Sequence, residues 1–183
     1  GRGYPARKTI QFGDPYWSYV TIALHCDGLT GATALNDLTG RSWSHLGGTN
    51  TIDTAVSKFG GASAGGAIQS TGWVSTGNSG VEIAAQDFSV SFWYVPDFAG
   101  GNSWLIYRGT LPTTRDWCVL MSNAGVIPSF IYNTGGVEYS VSFGVIKSGW
   151  AFYEWCRVGG TDYAFIDGAL VGSQTNYGPV RAT

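Results

Sequence analysis

Three features of this sequence predict an all-β sandwich. Glycine supplies 28 of the 183 residues, and aromatic residues make up 15% while charged residues make up only 12%. Glycine is costly inside helices, and aromatic side chains suit a pleated, half-buried surface. From residue 18 onward, short apolar runs alternate with turn signals, the pattern of many short strands. Several of those runs also alternate in polarity with period two, as a strand does when one face is inward.

The elements follow in order. "SYVTIALHC" (18–26) reads as a strand ended by Asp27-Gly28, and "RSWSHLG" (41–47) as another after the turn-rich "NDLTG". No convincing helix appears, although 52–58 has room for a helical turn. "GWVST" (72–76) and "VEIAA" (81–85) flank "GNSG", a hairpin or tight loop. In "DFSVSFWYV" (87–95), Phe88, Val90 and Phe92 face one way and Ser89, Ser91 and Trp93 the other. "WLIYRG" (104–109), "WCVLMS" (117–122), "PSFIYN" (128–133) and the alternating "VEYSVSFGV" (137–145) continue the series. A strand at 150–158, a turn at Gly159-Gly160-Thr161, a strand at 162–166 and a second turn at Asp167-Gly168 close it. The expected inward set is Phe88, Val90, Phe92, Trp155 and Phe165.

Residues 1–16 stand apart: Arg2, Arg7 and Lys8 fall among glycines and two prolines, with no sustained periodicity. They read as an extended N-terminal arm before a domain at 17–183. The arm is either a solvated tail or linker, or a segment that docks on a partner.

Composition excludes several functions. A net charge of −2 gives no global attraction to nucleic acid or acidic membrane. No apolar run approaches the roughly 20 residues that span a bilayer; no signal peptide is visible at the start, and a chain that begins with Gly1 is compatible with one having been removed by processing. Cys26, Cys118 and Cys156 are odd in number and lack C-x-x-C spacing, so they read as small hydrophobes.

"KFGGAS" (58–63), "DFSVSFWYVP" (87–96) and "GWAFYEWCRVGGTDYAFIDGALVGS" (149–173) together resemble the laminin-G-like branch of the concanavalin A-like lectin/glucanase superfamily. The opening "DPYWSYVTIALHCDGLTGATALNDLTGRSW" (14–43) is similar to the version found in bacteriophage virion proteins. The resemblance implies a jelly-roll sandwich of two antiparallel sheets. In it, Trp150, Trp155, Tyr163 and Phe165 serve packing, and Asp167-Gly168 makes a tight turn of positive φ. The chain departs from the family in three places. Ala151, Phe152 and Tyr153 stand where one or two histidines usually follow Gly-Trp. No Asp-Gly follows "KFGGAS". The closing strand, with its acidic pair and basic residue, is missing before "QTNYGPVRAT". Without that strand, 18–26 is expected to present an open apolar edge, covered by the arm folding back, by the tail "NYGPVRAT" or, as favoured, by a strand from another chain.

The carboxylates do not suggest catalysis. Glycoside hydrolysis needs two of them about 5–10 Å apart, yet Glu82, Glu138 and Glu154 are far apart in sequence and no acidic residues sit at i, i+2. His25 and His45 are the only histidines, without a Gly-x-Ser-x-Gly elbow. His25 reads as a structural histidine, and Glu154, on an otherwise aromatic strand, is the one carboxylate of interest. A glycan-binding role would use Trp43, Trp73, Trp104 and Trp117, which lie at strand ends. Each has packing as its alternative. Asp27, Asn36 and Asp37 are the candidate Ca²⁺ ligands, unless they simply cap their turns.

The sequence therefore predicts a non-enzymatic virion structural protein of a bacteriophage, decorating the capsid or forming part of a tail or fibre. It is expected to assemble with other virion proteins or with its own copies, with an outward glycan-binding role. The alternative is a free carbohydrate-binding or adhesion module of a cellular or secreted protein.

Overall fold

The computed structural model describes residues 17–41, 43–45, 51–65, 73–75, 87–96, 102–110, 114–122, 129–134 and 137–175. The arm with Arg2, Arg7 and Lys8, the segment "VEIAA" and the last eight residues lie outside them. Among the described residues the only helix is a 3-10 turn at Trp17–Tyr19. The strands are β1 (Leu24–His25), β2 (Asn36–Asp37), β3 (Trp43–His45), β4 (Thr51–Asp53), β5 (Ser63–Gly65), β6 (Trp73–Ser75) and β7 (Phe88–Tyr94). They continue as β8 (Asn102–Thr110), β9 (Thr114–Ser122), β10 (Ser129–Thr134), β11 (Val137–Ser142), β12 (Ala151–Val158), β13 (Thr161–Ile166) and β14 (Ala169–Thr175).

Two sheets make a β-sandwich-like body. One has the order β11-β10-β9-β8-β6-β3 and the other β14-β13-β12-β7. Pairing is antiparallel except for one parallel contact between β6 and β8, Trp73 opposite Ile106. Period-two alternation sends one face of each sheet inward. Trp117, Val119 and Met121 on β9, Phe130 and Tyr132 on β10, and Val141 on β11 come from the larger sheet. Ala151, Tyr153, Trp155, Ala164 and Ile166 come from β12 and β13 of the smaller one, with Phe88, Val90, Phe92 and Tyr94 of β7 packed against them. The alternation read in β7 is the observed one.

The two tight turns have the conformation their residues demand. Gly159 and Gly160 have φ of 55° and 79°, and Asp167 and Gly168 have 51° and 79°. Two-residue hairpin loops with positive φ at both positions are type I′, which matches the twist of the flanking strands. At Gly172 a side chain is excluded: an added Cβ would lie 2.5 Å from the Ser142 carbonyl oxygen, where β14 passes β11.

Three expectations need correction. On β13 the inward residues are Asp162, Ala164 and Ile166, so Phe165 faces out beside Tyr163. The small Ala164 stands directly opposite Trp155, leaving room for the indole. Second, the strand expected at 18–26 shrinks to Leu24–His25, preceded by the 3-10 turn, with Tyr19 79% exposed. Its backbone is used otherwise: Ala23 N–H donates to the Asp37 carboxylate, and Ala23 C=O accepts from Leu38 N–H. The long apolar edge that invited completion by another chain is therefore not formed. Third, 52–58 holds no helical turn. Ile52 N–H donates to Ala32 C=O, its C=O accepts from Gly31 N–H, and Asp53 caps Ala55 N–H.

These N-terminal ribbons, β1–β2 and β4–β5, carry a second cluster of Leu35, Trp43, Ile52 and Ala62. Ile22 packs against this cluster and the main core alike, joining the two.

Candidate functional site

The four tryptophans proposed as sugar platforms sit on neighbouring strands of the larger sheet, β3, β6, β8 and β9. Two of them are not platforms. Trp43 is 5% exposed and donates its indole N–H to Asp37 Oδ2 at 2.8 Å. Trp117 is 2% exposed and stacks on Phe130. Both bury a large apolar ring, which outweighs display at a strand end. The side chains of Trp73 and Trp104 lie outside the described residues.

Asp37 has a structural task. Its Oδ1 accepts from Ala23 N–H, Thr39 N–H and the Thr39 hydroxyl, and its Oδ2 accepts from Trp43. Burial would raise its pKa, but these donors outweigh burial and hold the carboxyl below its ordinary value. Asn36 is its neighbour on β2, paired opposite His25. Asp27 sits past β1, half-exposed, 3.4 Å from His25 Nδ1 and packed on Gly60. Ca²⁺ needs about six to eight oxygen ligands. Asp37's carboxylate is already met by four protein donors, and among the described residues no three of His, Cys, Asp and Glu come together as metal ligands. Cys118 is buried, and Cys26 and Cys156 are half-buried.

A buried ion pair escaped the sequence reading. Arg157 on β12 and Asp162 on β13 are direct cross-strand partners, and both side chains are fully buried. Nε donates to Oδ1 at 2.7 Å and Nη2 to Oδ2 at 3.2 Å, a two-pronged contact. The guanidinium carbon lies 5.2 Å from the Phe88 ring centre and 5.0 Å from that of Tyr132. Burial, together with the hydrogen bond to Asp162 and its charge, pushes the Tyr132 hydroxyl well above its ordinary pKa. The signal was present: a two-residue turn at Gly159-Gly160 places residue 157 opposite 162.

Two exposed aromatics, Trp93 and Phe59, meet elsewhere, on the outer face of the four-stranded sheet. Trp93 on β7 is 40% exposed and pairs with Phe152 on β12, their ring centres 5.4 Å apart. Phe59, from the turn between β4 and β5, is 65% exposed and stands edge-on to Trp93 at 5.6 Å. Lys58 Nζ lies 4.4 Å from the Trp93 ring centre. The next row of the same face, read across the strands, is Ser91, Glu154, Phe165 and Leu170. The Asp167-Gly168 turn is fastened beside the patch, since Asp167 Oδ1 accepts from Phe152 N–H at 2.9 Å and Asp167 N–H donates to Phe152 C=O. The outward direction of Trp93 was legible in the sequence; its partners on distant elements were not.

This arrangement offers ring faces, an ammonium, a hydroxyl and carboxylates within one open surface. It is suited to holding a ligand that is part apolar and part hydroxylated. Glu138 lies on the other sheet from Glu154, and Glu82 is outside the described residues. Compared with models of protein families, with curated proteins and with solved structures, the chain matches none.

Proposed function

We propose that this chain is a non-enzymatic structural domain of a bacteriophage virion, a laminin-G-like jelly roll that holds glycan on the outer face of its four-stranded sheet. The observation that carries the binding role is the cluster of the exposed Trp93 and Phe59 rings with the half-buried Phe152, beside polar groups. Such a group is costly to expose unless something uses it. The virion setting is supported by the phage-type opening at 14–43 and by the basic arm, which suits docking on a partner chain or a second copy. The same aromatic face equally supports the reading as a free carbohydrate-binding module.

Two measurements test this. A glycan array probed with the wild type and W93A is expected to show binding that the substitution removes. Antibody labelling of purified phage particles is expected to place the protein on the virion. Binding without particle association favours the free module, and particle association without any glycan signal removes the adhesion role.

A further inference from the structure

On the aromatic patch a lysine stands where a ligand would stack. Lys58 Nζ lies 4.4 Å from the Trp93 ring centre and 5.7 Å from that of Phe59, so an ammonium already occupies the patch's electron-rich face. Phe152 and Phe59 crowd the same indole from their own directions. A second ring laid flat on Trp93 must take the place of the ammonium.

The charges around the patch have both signs. Lys58 is cationic, Glu154 stands on the same face two residues beyond Phe152, and the Asp167 carboxylate is held at Phe152 N–H. A ligand of net charge meets a like charge whichever sign it carries. A neutral, hydroxyl-rich ring instead finds donors and acceptors together, with the Ser91 hydroxyl in the same row as Glu154. A pyranose combines an apolar C–H face for the indole with hydroxyls for these groups.

The turn itself is fastened. The Ser63 hydroxyl donates to Val56 C=O at 2.6 Å, and Asp27 packs against Gly60. Gly60 and Gly61 hold φ of 71° and 85°, which fixes the path of the turn around them. The lysine side chain, exposed and four carbons long, is the part free to swing.

We propose that Trp93, Phe152 and Phe59 form a binding site for a neutral pyranose, and that Lys58 is a cap which the sugar displaces. This deepens the glycan-binding reading above and rests on it. Removing the cap then tightens binding, because the ligand no longer breaks an ammonium–indole contact. The expected gain is about two- to fivefold, roughly 0.4–1 kcal/mol at about 1.4 kcal/mol per tenfold, which is the range of an exposed cation–π contact.

The test measures the wild type, K58A and W93A against immobilised neutral glucans, mannans and galactans, with polygalacturonate and hyaluronan as acidic probes. K58A is expected to bind the neutral polymer that the wild type binds, two- to fivefold more tightly, and W93A to lose at least tenfold. Weaker or unchanged binding by K58A overturns the cap, and unchanged binding by W93A overturns the site; both results leave glycan binding itself standing. Stronger binding of the wild type to the acidic polymers than to the neutral ones overturns the ligand class. If neither wild type nor K58A binds any neutral polymer, the proposal falls together with the reading beneath it. Acrylamide quenching tests the cap without a glycan. K58A should raise quenching of indole emission, and the rise should vanish in W93F; no rise in K58A overturns the cap.

Discussion

Substituting Asp162 with asparagine isolates the energetics of the buried ion pair. The change keeps size and one acceptor oxygen but removes the charge, leaving the Arg157 guanidinium without its counter-ion among Phe88 and Tyr132. Both side chains are fully buried, so water cannot replace the lost partner. Breaking such a pair from one side costs about 3–5 kcal/mol. For a domain of this size each kcal/mol lowers the melting temperature by roughly 2–4 °C, so D162N should melt roughly 6–20 °C below the wild type. The double variant R157M/D162L removes both charges and refills the space with apolar groups. It should recover most of the loss, because neither charge then pays for desolvation. Urea unfolding followed by tryptophan fluorescence gives the free energies, and calorimetry the melting temperatures. A D162N cost under about 1 kcal/mol, or a double variant that loses the sum of the two singles, would refute the reasoning.

Two further substitutions probe separate points of the fold. G172A places a methyl group 2.5 Å from the Ser142 carbonyl oxygen; it should cost about 1–3 kcal/mol in urea unfolding, and a neutral result would mean the two strands separate freely there. D37A strips the acceptor from Trp43 Nε1 and should cost about 1–3 kcal/mol at neutral pH. Because the folded carboxyl lies below its ordinary 3.8, this contribution is present above that pH and is lost as pH falls through the lower folded value. The gap between wild type and D37A should therefore hold from pH 7 down to about pH 4 and narrow below it. A gap independent of pH throughout would show that the charge on Asp37 adds nothing.

What the sequence disclosed depended on whether a signal was local. The faces of β7 were legible because serines alternate with Phe88, Val90 and Phe92. The type I′ turns were legible because Gly-Gly and Asp-Gly accept positive φ. The face of β13 was not, since Tyr163 and Phe165 are as apolar as Ala164 and Ile166. The one polar residue in line with the inward pair, Asp162, argues for the wrong face unless its partner Arg157 is known. The run at 18–26 looked like a strand because its apolar residues do pack inward, with Ile22 and Leu24 against the clusters. Its backbone bonds, however, go to Asp37 and Leu38, which spacing along the run does not reveal. Tryptophan content likewise carried no information on exposure. Trp43 is satisfied by a carboxylate six residues away, whereas the exposed site depends on a turn at residues 58–59 reaching a strand more than thirty residues later.

The central claim is that the outer face of the four-stranded sheet is the binding surface. Titrating isotope-labelled protein with a neutral hexasaccharide, cut from the polymer best retained on the array, tests it by mapping NMR shift changes. The account predicts changes at the Trp93 indole N–H and at the amides of Lys58, Phe59, Ser91, Phe152 and Glu154, with the larger sheet unmoved. Changes centred instead on Trp73 and Trp104, or none at saturating sugar, would contradict it.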